Sequence, residues 1–337
     1  MPGMNRRDFA RSGLAGLAVF GGAARAFGAP AAVPLQQGPG GGYRYIHLDV
    51  FTDRRLQGNQ LYVFVQPSGL DTETMQTLTR ESNLSECTFV FPSEAAGTDH
   101  RVRIFTRTAE TPFAGHPTIG TAFALAHTGI IKPGAAKTNF GLGVGPTNID
   151  LEWKEGKLAF AWMTQLKPAF GKTIEDGRAL AAAIGVEALD PRAPAQEVNC
   201  GSNFFVVPLP SRKAVDAAVM DRARVDAVFN AAGIQRRGMY IFSTEKGADD
   251  VTAYSRLLGT GGIEDPATGS AAGPAGAFIA KYGFVPADKT GSIVFLQGVL
   301  VRRPSRLHVR ATMSGGEVTG IKVGGSSVVV GEGTMIP

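Results

Sequence analysis

The sequence predicts an α+β fold of two similar domains, each a sheet wrapped around one central helix, and three observations lead there. Short β-rich runs alternate with only a few helical segments along the chain. Two segments read as helices that are apolar on nearly every side, as a helix buried all round must be. Each of the two is opened by a turn containing Gly and Pro and followed by further strands, so the same order of elements occurs twice. Residue identity between the halves is low, and the duplication rests on element order alone. At 337 residues and 44% hydrophobic, the chain can bury one large core or two moderate ones, and 19% charged residues are too few for disorder.

The first 42 residues have their own composition. Asn5-Arg6-Arg7-Asp8-Phe9 is a twin-arginine pattern, Gly13 to Ala24 is apolar and rich in Gly, Ala and Leu, and Ala24-Arg25-Ala26 suits a small-residue cleavage site. That order predicts an export signal and a periplasmic mature chain, with Pro30 to Gly42 as a flexible leader. The apolar stretch is too short and too Gly-rich to stay in a bilayer as a stable anchor. The formal net charge of +5 owes +3 to Arg6, Arg7, Arg11 and Arg25 against Asp8. No later basic run is interleaved with aromatics, so no nucleic-acid partner is expected.

From Tyr43 onward, strands are expected at Tyr43–Asp49, Leu61–Val65, Thr88–Phe91, Val102–Phe105 and Lys157–Trp162, each rich in Val, Ile, Phe or Tyr and bounded by turn residues. Asp71–Glu81 has the spacing of a short amphipathic helix, with Met75 and Leu78 on its inner side. Phe113-Ala114-Gly115-His116-Pro117 announces the first apolar helix, Pro117–His127, because proline at a helix start presets the dihedral and forfeits no hydrogen bond. Asp265-Pro266-Ala267-Thr268-Gly269-Ser270 opens the second, Ala271–Tyr282. Strands follow each, at Asn139–Trp153 and at Ser292–Leu300 and Leu307–Ala311. The expected domains are 43–165, rejoined by 326–337, and 166–325, with Gln165–Gly171 as the crossing.

The two helix starts are where chemistry is expected. A helix N-terminus offers unpaired N–H groups and a partial positive charge, and glycine admits a ligand close to the backbone. Facing starts carrying Gly115 and His116 on one side and Gly269 and Ser270 on the other suit a small carboxylate-bearing molecule, without a cofactor. Glu86 stands immediately before an apolar strand, where partial desolvation raises a carboxyl toward working pH, as a general acid/base requires. Glu81, at the end of the preceding helix, is read as solvent-facing. Asp265 can cap the second helix, worth about 1 kcal/mol, and carry a proton as well. His116 is either a proton carrier or a core histidine bonded to backbone. Ser270 lacks the Gly-x-Ser-x-Gly surroundings of a hydrolase nucleophile and is read as a donor to ligand. Five scattered histidines and two cysteines, Cys87 and Cys200, show no metal-site spacing, and at most one disulfide is available.

Taken together, His47-Leu48-Asp49-Val50-Phe51 with Gly58-Asn59, Asn83-Leu84-Ser85-Glu86, Phe105-Thr106 with Pro112 to Pro117, Glu264 to Gly273, and Leu296-Gln297-Gly298 with Arg303-Pro304-Ser305 resemble the PhzF family of phenazine biosynthesis from Tyr43 to Ile336. The resemblance implies a diaminopimelate epimerase-like fold, two domains each with a barrel-like sheet around a central helix, and a homodimer. It implies a cofactor-free isomerase; the characterised family reaction isomerises trans-2,3-dihydro-3-hydroxyanthranilate, with a glutamate moving a proton between ring carbons. By motif match that glutamate is Glu86, assisted by His116 and Asp265, with Gly115 and Ser270 lining the pocket. Two positions depart from the family pattern, Arg107 after Phe105-Thr106 and Gln60 after Gly58-Asn59, each replacing a proline. A racemase of this fold uses paired thiols at the helix starts; these starts carry Gly115-His116 and Pro266-Ala267, with no cysteine. A binding protein that kept the fold without the chemistry is the alternative.

Overall fold

A computed structural model describes residues 42–67, 69–235, 238–259 and 264–337. The twin-arginine segment and its leader up to residue 41 lie outside the described residues.

The first half runs β1 (Tyr43–Val50), β2 (Asn59–Val65), α1 (Thr72–Ser82), β3 (Glu86–Pro92), β4 (His100–Thr106), β5 (Glu110–Thr111), α2 (Gly115–His127), β6 (Lys137–Leu142), β7 (Gly145–Lys154) and β8 (Lys157–Thr164). The second runs β9 (Ala169–Ile174), α3 (Arg178–Ala183), β10 (Ala195–Asn199), β11 (Asn203–Pro208), α4 (Arg212–Ala217), α5 (Arg222–Ala231), β12 (Met239–Ser243), β13 (Ala253–Leu258), α6 (Gly269–Lys281), β14 (Ile293–Gln297), β15 (Ser305–Ser314), β16 (Glu317–Gly325) and β17 (Ser327–Met335).

Strand pairing repeats between the halves. β1 to β2 is antiparallel, β2 to β3 parallel, β3 to β4 antiparallel, β4 to β6 parallel, and β6, β7 and β8 follow antiparallel. β10 to β16 repeat that series, from β10 to β11 antiparallel through β13 to β14 parallel. α2 intervenes before β6 and α6 before β14, at the matching step. β17 returns to pair with β1, and β8 with β16 joins the two series.

Each central helix is enclosed. Gly115 to Leu125 of α2 are buried throughout, as are Gly269 and Ala271 to Ala280 of α6. Small residues let strands pack directly on them: a methyl on Gly120 would lie 2.5 Å from Leu61, and one on Gly276 2.5 Å from Val309. α1 is the amphipathic helix expected, capped by Asp71, which accepts from Thr74 N–H at 2.7 Å, and buries Met75 and Leu78. Both long helices start two residues earlier than the apolar pattern indicated, at Gly115 and Gly269. Both cysteines are free and buried, and among the described residues no helix is long and apolar enough to cross a membrane.

Candidate active site

The two helix starts meet. A methyl added at Gly115 would run into the carbonyl carbon of Gly269 and the amide nitrogen of Ser270, and one at Gly269 would lie 3.1 Å from the Gly115 Cα. Only glycine permits this approach. The residues before them, Ala114 and Thr268, make no side-chain cap hydrogen bond, so two sets of uncapped N–H groups and two positive dipole ends converge. Ser270 is half-buried at the second position of α6.

Around this junction gather the titratable side chains expected of the site. Glu86 is the first residue of β3 rather than the loop residue before it, and its Oε2 lies 3.2 Å from His116 Nδ1. Asp265, from the turn before α6, receives Asn59 Nδ2–H on Oδ1 at 2.6 Å and the Thr268 hydroxyl on Oδ2 at 2.6 Å. It does not cap α6; its oxygens are taken by these donors and the helix begins beyond it. The second Asn59 amide hydrogen goes to the Ala267 carbonyl at 2.9 Å. With both committed, the 3.2 Å contact between Asn59 Nδ2 and His116 Nδ1 leaves the imidazole nitrogen to Glu86. The Gln60 backbone hydrogen-bonds the His116 ring, and among the described residues the buried Ser85 hydroxyl has no hydrogen-bond partner.

Burial sets the charge states. The Glu86 side chain keeps 19% of its surface open, yet desolvation first, and then the charge of Asp265, push its carboxyl up to about 8. Desolvation pulls His116 down to about 3. Asp265 is raised by burial to about 6, held from going higher by its bonds from Thr268, Asn59 and the Ala267 amide. These shifts favour a protonated Glu86, a neutral His116 and an ionised Asp265 near neutral pH. With His116 neutral and both Asn59 amide hydrogens directed elsewhere, the Glu86 carboxyl faces His116 Nδ1 as an acceptor at 3.2 Å.

A frame around these groups comes from residues to which sequence reasoning gave no role. Arg303 donates to the carbonyls of Gly58 and Gln57, each at 2.7 Å, and to Asp49, which is 1% exposed; this clamp fixes the turn that delivers Asn59. Arg256 pairs with Glu264 at 2.8 Å and also donates to the Val215 carbonyl at 2.7 Å, anchoring the segment before Asp265. Gln165, at the crossing, donates to the Gly269 carbonyl at 3.0 Å. Asn59, Arg303 and Gln297 all stand in motifs quoted above, but nothing in their local spacing reveals the distant residues they contact. A cavity of about 340 Å³ lined by Thr52, Arg54, Arg306 and His308 lies elsewhere, touching this region through Phe51, whose ring packs beside Gly269. Burial pushes the Cys87 thiol up to about 11. Among the described residues, no group of three or more His, Cys, Asp or Glu is placed to hold a metal.

Residues 48–333 match the family model described as phenazine biosynthesis-like protein. A trans-2,3-dihydro-3-hydroxyanthranilate isomerase of Pseudomonas chlororaphis is 34% identical, across 87% of this chain and 99% of its own. An uncharacterized isomerase of Mesorhizobium japonicum is 32% identical, across 86% and 98%. The crystal structure of a PhzF-family phenazine biosynthesis protein from Bacillus anthracis superposes with a TM-score of 0.77 at 27% identity, across 88% and 99%. A hydroxyproline epimerase from Agrobacterium vitis, at 12% identity and a TM-score of 0.59 over 87% of this chain and 92% of its own, shares the fold alone. The repeated strand order around two buried helices, the glycine contact between their starts and these likenesses lead to one assignment: the chain belongs to the PhzF family of isomerases.

Proposed function

We propose that this isomerase moves a proton between two carbons of a small carboxylate-bearing substrate, with Glu86 as the acid/base and no cofactor. The observation that carries the reading is the placement of Glu86 beside His116, 3.2 Å from its Nδ1, at the meeting of two uncapped helix starts. A carboxyl with its midpoint near 8 exchanges its proton close to neutral pH, and once ionised it is a stronger base than an ordinary glutamate. That suits abstraction from carbon. One base implies that the proton leaves and returns on the same face of the substrate.

The remaining roles follow from charge. The N–H groups at Gly115 and Ser270 bind the substrate carboxylate. Asp265, ionised, accepts from a hydroxyl or amino group on the substrate and orients it. His116, neutral, holds the Glu86 proton in place between steps. The twin-arginine pattern supports export to the periplasm and, with it, a substrate other than the phenazine precursor; the family resemblance supports a homodimer.

The test is a panel of small cyclic acids and amino acids, trans-2,3-dihydro-3-hydroxyanthranilate included, incubated with the protein in D₂O and read by NMR. Exchange or migration at one carbon, lost in Glu86→Gln while binding persists, is the expected result. A ligand that binds with no exchange at any carbon would leave a binding protein instead. Turnover of the phenazine precursor at about 1 s⁻¹ or faster, the range of a dedicated enzyme, would overturn the substrate assignment.

A further inference from the structure

One fully buried amide fixes where its neighbour's proton goes. Gln297, the last residue of β14, is 0% exposed. Its Oε1 accepts from the Thr268 amide at 3.1 Å and from the Tyr240 hydroxyl at 3.1 Å, while its Nε2 donates to the Asp265 carbonyl at 2.9 Å and to Thr268 Oγ1 at 3.0 Å. The amide cannot be turned over. A flip would set its NH₂ against a backbone N–H and its oxygen against a backbone carbonyl, leaving donor facing donor and acceptor facing acceptor. Thr268 Oγ1 therefore receives a hydrogen from Gln297, and the hydroxyl has one hydrogen left to give. Asp265 Oδ2 lies 2.6 Å away.

We propose that Gln297 is a positioning residue that directs the Thr268 hydroxyl onto Asp265 and thereby keeps Asp265 the hydrogen-bond acceptor of the site. The Asn59 amide reinforces this from the opposite side, because Nδ2–H must face both Asp265 Oδ1 and the Ala267 carbonyl. A protonated Asp265 would accept more weakly from both donors, so each of them favours the carboxylate. The mobile proton is left to Glu86. The other groups facing Asp265 are Glu86 from β3, Tyr240 from β12, and Glu264, whose charge is compensated by Arg256. This inference rests on the proton-transfer reading above for its meaning, though its test requires no substrate.

The experiment is a carboxyl ¹³C titration of the full chain labelled at aspartate, with Asp265 assigned by the resonance missing from Asp265→Asn. The unmodified protein is expected to titrate near 6. Thr268→Val is expected to raise that midpoint by about one pH unit or more, since it removes the hydroxyl that donates to the carboxylate, and Gln297→Leu by about half a unit, since the hydroxyl stays but is no longer held onto Asp265. The double variant is expected to match Thr268→Val, because Gln297 acts through the hydroxyl that this change removes, and Thr268→Ser is expected to titrate like the unmodified protein. If Gln297→Leu loses its near-UV dichroism, Gln297→Met, closer in volume, takes its place. A folded Gln297 variant that titrates like the unmodified protein, or shifts that add in full, overturns the proposal. A shifted Asp265 in a protein that exchanges no substrate proton would instead overturn the proposed function and leave the Gln297 assignment standing.

Discussion

Replacing Glu86 by Gln should abolish proton transfer and, at alkaline pH, make the protein more stable. A group whose folded midpoint lies above its unfolded one contributes stability below the unfolded midpoint and loses it as pH rises through the folded one. For Glu86 the window runs from the ordinary 4.5 to about 8. Above pH 4.5 the unfolded carboxyl has released its proton while the folded one retains it, so stability falls by about 1.4 kcal/mol per pH unit until pH 8. Between about pH 6.5 and 9.5 the fall attributable to Glu86 is therefore about 2 kcal/mol. Asp265 is largely ionised across that range; the raised thiol of Cys200 affects both proteins alike, and that of Cys87, raised chiefly by burial and least by the Glu86 charge, nearly so. The amide introduced by Glu86→Gln cannot ionise but can still donate to His116 Nδ1. Urea denaturation at the two pH values should show the variant gaining about 2 kcal/mol on the parent between them, with unchanged m-values. Parallel stability curves across the range would refute the claim that burial holds Glu86 protonated.

Three further perturbations test the surrounding geometry. His116 lies below its ordinary 6.5, at about 3, so the stability it contributes is present above pH 6.5 and is lost as pH falls toward 3; imidazole NMR should show it neutral at about pH 5, and a cationic ring there would contradict its burial. Gly115→Ala sets a methyl against the Gly269 and Ser270 backbone and should cost about 1–3 kcal/mol with at least a tenfold loss of turnover; an unchanged melting temperature would mean the helix starts yield. Arg303→Met leaves the Asp49 carboxylate, 1% exposed, with the Leu56 amide but without its cation and should cost about 3–5 kcal/mol, whereas a loss under about 1 kcal/mol by denaturation would show the clamp to be dispensable.

Local chemistry was readable wherever a residue's role depends on its immediate neighbours in the chain. The amphipathic helix at α1 is expected from Met75 and Leu78 at helical spacing, and both are buried in it. Pro117 falls within the first turn of α2, where its missing N–H costs nothing. Glu86 is partly buried because it opens a strand whose following residues are apolar, and Glu81 is exposed at the end of α1. Asp265 shows where this reasoning stops: a carboxylate before a helix reads as a cap, but the competing donors that claim it come from residue 59 and from a hydroxyl oriented by residue 297.

The sequence by itself determined the two apolar helices, the glycine-opened turns before them and the set of residue types able to hold a proton, since propensity, periodicity and turn chemistry act over a few residues. Tertiary structure decided which of those residues meet. The strand order places Asn59 against Asp265 and Gln297 behind Thr268, and the contact between Gly115 and Gly269 brings both helix starts to one point. Only that convergence removes water from Glu86, His116 and Asp265 together, and desolvation, a property of the enclosing fold and not of any segment, is what separates their protonation states.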